Sequence, residues 1–296
     1  MTWQAVARKD FRDAVRSKWL WALSLLFVAV FALPPILLFY LEMGATPQQG
    51  QSGTTDMFVF LMKQGTSILI PLIAIVIGYT SITQERESGS LKLLLSLPHS
   101  RDDVVFGKVL GRSGVIALPI AVGFAVAFLV LLFTSLSLKL VNLLLFAALT
   151  AVLGLVFVGL SVGVSAAAST GQRAMVAAIA LFIWFVVLWN SFANQVVNAL
   201  VKYVGISEAA RYQTVLFLKL LNPTQAYKTL VDTVLMDSAL QSRIYMFGIF
   251  KRKAVAQAFG DSLPIYLSDP FVVAYFLAWL FVPVAVGLRK FSNDDL

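Results

Sequence analysis

Thr83-Gln-Glu-Arg-Glu-Ser-Gly-Ser-Leu-Lys-Leu-Leu-Leu-Ser-Leu-Pro-His-Ser-Arg-Asp-Asp103 is a short charged insert between two long apolar stretches. Glu85, Arg86 and Glu87 set alternating charge where the preceding apolar run ends, and Ser88-Gly89 offers a turn. Leu91, Leu93, Leu94, Leu95 and Leu97 then supply apolar faces until Pro98 stops the helix. Asp102 or Asp103 opens the next helix, with acidic side chains at its positive end. A solvated surface hairpin is the plain alternative. Against it, the leucines of 91–97 are too apolar for a free loop, so the segment is expected to lie on the membrane surface or on a partner. A short charged helix wedged between two spans is a surface that a soluble partner can grip and push.

Outward from the insert the chain is overwhelmingly apolar. Of its 296 residues 59% are hydrophobic and 13% charged, and the mean hydropathy is +0.85. A soluble domain carries roughly 25% charged residues, so this is an integral membrane protein. The formal charge of +8 comes from Lys and Arg at the ends of apolar runs rather than in one cluster, which fits membrane orientation and not nucleic acid. With no cysteine there are no disulfides, thiolate metal sites or cysteine nucleophiles. A single histidine, His99, excludes any site built from several histidines. The apolar run after the N-terminal segment is too long for the core of a cleavable signal.

A bilayer core needs about 20 helical residues, and apolar runs of that order, free or nearly free of charge, predict six spans. They are Trp19–Leu41, Phe58–Ile82, Val105–Phe133, Leu140–Ala168, Ala174–Phe192 and Phe271–Leu288. Pro34, Pro35, Pro71, Pro119 and Pro283 fall inside them, where kinks are expected. Arg8, Lys9, Arg12, Arg16 and Lys18 precede the first span, and Arg86, Lys92, Arg101, Lys108 and Arg112 flank or occupy the insert. Arg173, Arg289 and Lys290 fall on the same side, whereas the short loops on the other side offer only Lys139, with Lys63 just inside the second span. Both termini are therefore expected in the cytoplasm of a multi-pass plasma-membrane protein.

Residues 1–18 read as an interfacial helix, with Trp3, Val6, Ala7, Phe11, Ala14 and Val15 apolar and the basic residues opposite. It serves either as a topology anchor or as an elbow beside a partner's docking site. The extracytoplasmic segment 193–270 is too long for a connector. Within it Ser207 is a candidate N-cap, and Asn222-Pro223 ends one helix and starts the next, giving short amphipathic helices that dip into or lie on the outer leaflet. Lys251-Arg252-Lys253 reads as a solvated turn. Gly159 and Gly163 form a small-xxx-small pattern, extended by Ser161 and Ser165, for packing within the chain or for a dimer seam.

Enzyme chemistry finds little support. No G-x-x-x-x-G-K-[ST] occurs, so the chain is not expected to hydrolyse ATP itself, and H-E-x-x-H is also absent. No span places a Ser beside a Lys, His or Asp at its middle, which disfavours intramembrane hydrolysis. The spans centre on Leu, Val, Ala and Phe, with Asn142, Asn190, Thr150, Ser161 and Ser165 as polar exceptions. Ion-coupled carriers place ionisable groups there, so energy for any transport is expected from outside the chain.

The arrangement resembles the permease subunit of type 2 ABC exporters, especially the NosY-like branch associated with nitrous-oxide-reductase maturation. The resemblance rests on Glu85-Arg-Glu-Ser-Gly-Ser-Leu-Lys-Leu-Leu-Leu-Ser-Leu-Pro98, followed by Ser100-Arg101 and Gly107-Lys108. Leu221-Asn-Pro223 and the tail Gly287-Leu-Arg-Lys-Phe-Ser-Asn-Asp-Asp-Leu296 support it, and it covers nearly the whole chain. It implies a single all-α permease domain over 1–296 with six spans and a cytoplasmic coupling segment at 83–103. Two permease copies would pair with two ABC ATP-binding subunits, which carry the ATP and Mg; this chain itself is expected to hold no cofactor and no metal. By position Glu85, Arg86, Glu87, Ser88, Gly89, Leu91 and Leu94 fall on the docking helix. The implied function is ATP-driven export, and the apolar spans favour a hydrophobic or amphipathic cargo. The alternative is mechanical transmission to, or assembly of, an extracytoplasmic partner without cargo. Copper finds little support, since the spans hold no histidine or cysteine and the seven methionines are scattered.

Overall fold

The computed structural model describes residues 3–16, 18–42, 51–90, 100–133, 139–260 and 262–293, and among these every regular element is helical. Residues 91–99, including Leu91 and Leu94, lie outside the described residues. In chain order the helices are α1 (Trp3–Val15), α2 (Lys18–Glu42), α3 (Gln51–Gly78), α4 (Thr83–Glu87), α5 (Arg101–Leu132) and α6 (Leu140–Ala167). Then come α7 (Gly171–Ile183), a π turn (Trp184–Leu188), α8 (Trp189–Val204), α9 (Glu208–Leu220), α10 (Pro223–Met236), α11 (Ala239–Tyr245), α12 (Arg252–Phe259) and α13 (Asp269–Asn293).

Five helical stretches among the described residues are long and apolar enough to cross a membrane: Met57–Glu87, Arg101–Leu132, Leu140–Ala167, Gly171–Val204 and Asp269–Ser292. The first apolar run forms the 25-residue helix α2, within which Trp21–Pro34 is a shorter apolar stretch. α3, α5 and α13 run through Pro71, Pro119 and Pro283 without interruption. The run 174–192 is part of one continuous helix that does not stop at Phe192 but reaches Val204, where Gly205 adopts a left-handed φ of 70° and closes it.

Packing follows small residues, as expected where lipid tails are as apolar as leucine. The most extensive helix pairs are α6 with α13, α2 with α5, and α1 with α5. A Cβ on Gly163 would collide with the Pro283 carbonyl, and one on Gly287 with the Gly163 carbonyl, so backbone meets backbone at this crossing. Gly159 lies on the same seam, against Leu280 and Val284. The small-xxx-small pattern thus faces the last helix of its own chain. A second glycine stripe, Gly107, Gly111 and Gly114 on α5, receives α1: an added Cβ would stand 2.6 Å from Val6, 2.8 Å from Asp10 and 2.9 Å from Phe11, respectively. α1 therefore rests in a groove of α5 through Val6, Ala7 and Asp10, while Trp3 and Phe11 stay partly exposed. Phe27, Phe31, Phe124 and Phe146 lead in ring contacts from α2 through α5 to α6 and on to Tyr227 of α10.

The segment after α8 is more deeply embedded than amphipathic surface helices would be. Asn222 caps α10, its side chain accepting from the Thr224 and Gln225 amides, with Pro223 at the first helical position. Its Nδ2 also donates to the Phe185 carbonyl at 2.6 Å, inside the π turn, where the regular ladder is broken. Trp189 and Trp279 donate their indole N–H groups to Leu218 and Leu221 carbonyls at 2.8 and 2.7 Å. One Asn and two Trp side chains thus tie the α9–α10 corner to two membrane helices. Arg252 of the expected solvated turn lies over the Tyr245 ring at 3.6 Å.

Candidate coupling site at the charged end

The ends of α1, α3, α6 and α13 and the starts of α5 and α7 gather around the five-residue helix α4. Its residues are held by a different neighbour at nearly every position. The α3–α4 turn presents the Ile82 and Thr83 amides to Ser165 Oγ of α6, at 3.0 and 3.2 Å, all three residues being buried. α4 closes at Gly89, whose φ of 74° disfavours any side chain although the space around it is open. The Ser88 and Ser90 hydroxyls bond each other at 2.8 Å, and the one that accepts in that bond can donate to the Glu85 carbonyl, so the turn after the helix is self-supporting.

Glu85 faces inward. Its Oε1 accepts from Lys108 of α5 at 2.8 Å, and Lys108, only 2% exposed, also reaches Asp10 of α1 at 3.4 Å. Arg112, one turn further along α5, donates to the other oxygen of Asp10 at 2.9 Å. Two carboxylates thus face two cations across three helices. These paired carboxylates offset the cost of burying an ammonium, which is several kcal/mol when it is isolated. Glu87 points the other way: its carboxylate accepts from the Gly171 amide at 2.7 Å, at the positive end of α7, whose N-cap is Thr170. Arg86 reaches toward the Ala166 carbonyl at 3.5 Å and stands 5.6 Å from the ring of buried Phe291. Arg101 covers that ring at 5.4 Å and donates to the Phe291 and Ser292 carbonyls, the last of α13. At the start of α5, Ser100 and Asp103 form a reciprocal capping box, and Asp103 also accepts from the Trp3 amide at 3.2 Å.

Of the residues expected on the docking helix, Glu85 and Arg86 are thus brought to one hub, while Glu87, Ser88 and Gly89 form its exposed rim. Glu85 is an internal strut rather than a rim charge. Asp10, Lys108, Arg112, Ser165 and Phe291 complete the hub and were not singled out as its members from sequence. Lys108 and Arg112 stand four apart on one helix face, which is a legible pair, but nothing local says that Asp10, about a hundred positions away, sits between them.

Several apolar helices long enough to cross a bilayer, one charged end wired around a short helix, and a second set of helices wedged among them mark a multi-pass membrane protein. The model of the ABC-2 family transporter proteins matches residues 4–296, and the chain belongs to this family. Similar curated proteins are the probable ABC transporter permease proteins NosY of Stutzerimonas stutzeri, 37% identical over 119 residues, and of Pseudomonas aeruginosa, 36% identical over 119 residues. Each alignment covers 40% of this chain, and 41% and 42% of those relatives, so the match spans about two fifths of their length.

Proposed function

We propose that the chain is the membrane half of an ATP-driven exporter, with six spans, both termini in the cytoplasm and residues 83–103 as the coupling segment on which a separate ATP-binding subunit pushes. The charge asymmetry of the loops supports the orientation. Two copies of the chain with two ATP-binding subunits form the working unit. The observation that carries the proposal is the wiring of α4: its residues and the turn before it bond to α1 and α5 through Lys108, to α6 through Ser165, to α7 through Gly171 and to α13 through Phe291. A displacement of one short helix by a soluble partner is thereby delivered to five elements at once, and coupling requires such a shared two-position element. Glu87, Ser88 and Gly89 offer the exposed docking rim, and Glu85 and Arg86 carry the push inward.

The cargo is hydrophobic or amphipathic. Helix surfaces of Leu, Val, Phe and Ala offer no group to replace the hydration of an ion, which costs several kcal/mol when unpaired. The test is reconstitution of the permease with its ATP-binding subunit in proteoliposomes, scored by stimulated ATP hydrolysis and by cargo movement. Stimulation by lipids, peptides or apolar drugs is expected; stimulation only by metal ions or sugars overturns the cargo assignment. The second reading, mechanical transmission to an extracytoplasmic partner, is favoured by one feature: Phe250 and Ile265, in the segment between α8 and α13, are fully and largely exposed. ATP hydrolysis that depends on such a partner, with no cargo moved, selects it.

A further inference from the structure

Between α1, α2, α3, α4 and α5 lies a cleft of about 910 Å³, within the size range of small-molecule sites. Its wall is apolar, formed by Leu23 and Leu26 of α2 and Leu72 and Val76 of α3; its polar end is formed by Lys9, Asp10, Asp13, Ser81, Glu85, Lys108 and Arg112. The ion pairs of the hub leave part of that end unsatisfied. Lys108 and Arg112 are engaged by Asp10 and by Oε1 of Glu85, but Oε2 of Glu85 is buried with no donor. Ser81, 2% exposed, also has an unpartnered hydroxyl oxygen at the cleft wall. Buried polar atoms are nearly always satisfied, and one left bare costs free energy comparable to a lost hydrogen bond. The missing group is a donor, because an ionised carboxylate only accepts. Asp13 adds a second, exposed carboxylate and Lys9 an exposed ammonium at the mouth.

We infer that this cleft binds an amphiphile whose head carries a primary ammonium, donated to Glu85 Oε2 and the Ser81 hydroxyl, with its tail along Leu26, Leu72 and Val76. A phosphate beside the ammonium would meet Lys9, so the chemistry is that of an ethanolamine phospholipid or of a long-chain amine. A choline head is excluded from the same contacts because its quaternary nitrogen has no N–H to donate. The inference goes beyond the exporter reading, since it holds whether the bound molecule is moved or stays.

The test is native mass spectrometry of the full-length, delipidated permease titrated separately with phosphatidylethanolamine, phosphatidylcholine, phosphatidylglycerol and a long-chain primary alkylamine. Phosphatidylethanolamine, the alkylamine or both should bind at least about tenfold more tightly than phosphatidylcholine, the scale of one charge-assisted hydrogen bond. Retention of the phospholipid identifies a bilayer source, and binding of the amine alone a soluble one. Val76→Trp, which fills the apolar wall without touching the ion pairs, should abolish the preference, and Ser81→Ala should reduce it severalfold. Equal binding of ethanolamine and choline lipids overturns the inference. So does a preference that survives both variants while their melting temperatures match the wild type. Absence of binding of both the ethanolamine lipid and the alkylamine to the isolated permease, or binding there that is lost once the complex with the ATP-binding subunit is assembled, also overturns it.

Discussion

The two polar regions of this apolar molecule are built on opposite plans. At the charged end, α4 is joined to its neighbours by single contacts to many elements, and the ion pairs stay partly open to solvent: the side chains of Glu85 and Arg112 are 19% and 25% exposed around a buried Lys108. At the other region, α10 is fastened mainly through buried hydroxyls, although one charged partner, Asp269, stays 38% exposed. The Tyr227 hydroxyl bonds Thr66 of α3 at 2.7 Å and Thr150 of α6 at 2.9 Å, with all three residues essentially inaccessible, and Lys63 pairs with Asp232. Nearby, buried Arg243 bonds Asp269 at 2.6 Å, the Thr233 and Ser242 hydroxyls, and the Leu267 carbonyl. Partners that keep some water can be exchanged at modest cost, whereas buried hydroxyl networks resist rearrangement. The first plan suits an element that moves, the second one that is pinned.

Replacing Lys108 by Met should break this contrast most severely. It strands Glu85 and Asp10 with only Arg112 to neutralise them, at an expected cost of about 3–5 kcal/mol, read as a large fall in melting temperature in detergent together with lost ATPase stimulation. Unchanged melting would mean that the hub carries no structural charge pair. Arg243→Met is the matched change at the pinned region. Because the Asp269 side chain remains 38% exposed and can rehydrate, the expected loss is smaller, about 1.5–3 kcal/mol. ATPase stimulation per folded molecule should survive, and if it falls as far as in the Lys108 variant, the division between a moving and a pinned region is wrong.

Smaller effects sharpen the comparison. Tyr227→Phe removes one hydroxyl, but Thr66 and Thr150 still donate to the Met62 and Phe146 carbonyls, so about 1 kcal/mol is expected. Faster amide exchange confined to α10 is the readout. Glu87→Gln should cost least in stability, about 0.3–1 kcal/mol from the lost charge at the start of α7. Its effect on pull-down of the ATP-binding subunit should exceed its effect on melting. The reverse order would place Glu87 inside the hub rather than on its rim.

Lipid-facing helices were legible because their length and lack of charge are properties of consecutive residues. The N-caps at Ser207 and Asn222 were legible for the same reason: cap and helix lie within four positions of each other. The π turn was not, since it depends on Asn222 reaching across to Phe185, 37 positions earlier. Gly159 and Gly163 announced a close approach, yet their partner was left open because a small-residue stripe specifies distance and not identity. The glycine stripe at 107, 111 and 114 carried the same kind of signal for α1.

The charge-flanked insert and the apolar runs determined by themselves that this protein is a helical membrane protein with a charged turn between two apolar helices, because both follow from local chemistry meeting a bilayer. Which side of that turn is internal and which is exposed was decided by tertiary structure alone. Glu85 and Glu87 are two residues apart, and on a helix that spacing turns them roughly opposite ways. Only the position of Lys108 on one side and of the Gly171 amide on the other makes the first an internal strut and the second a rim.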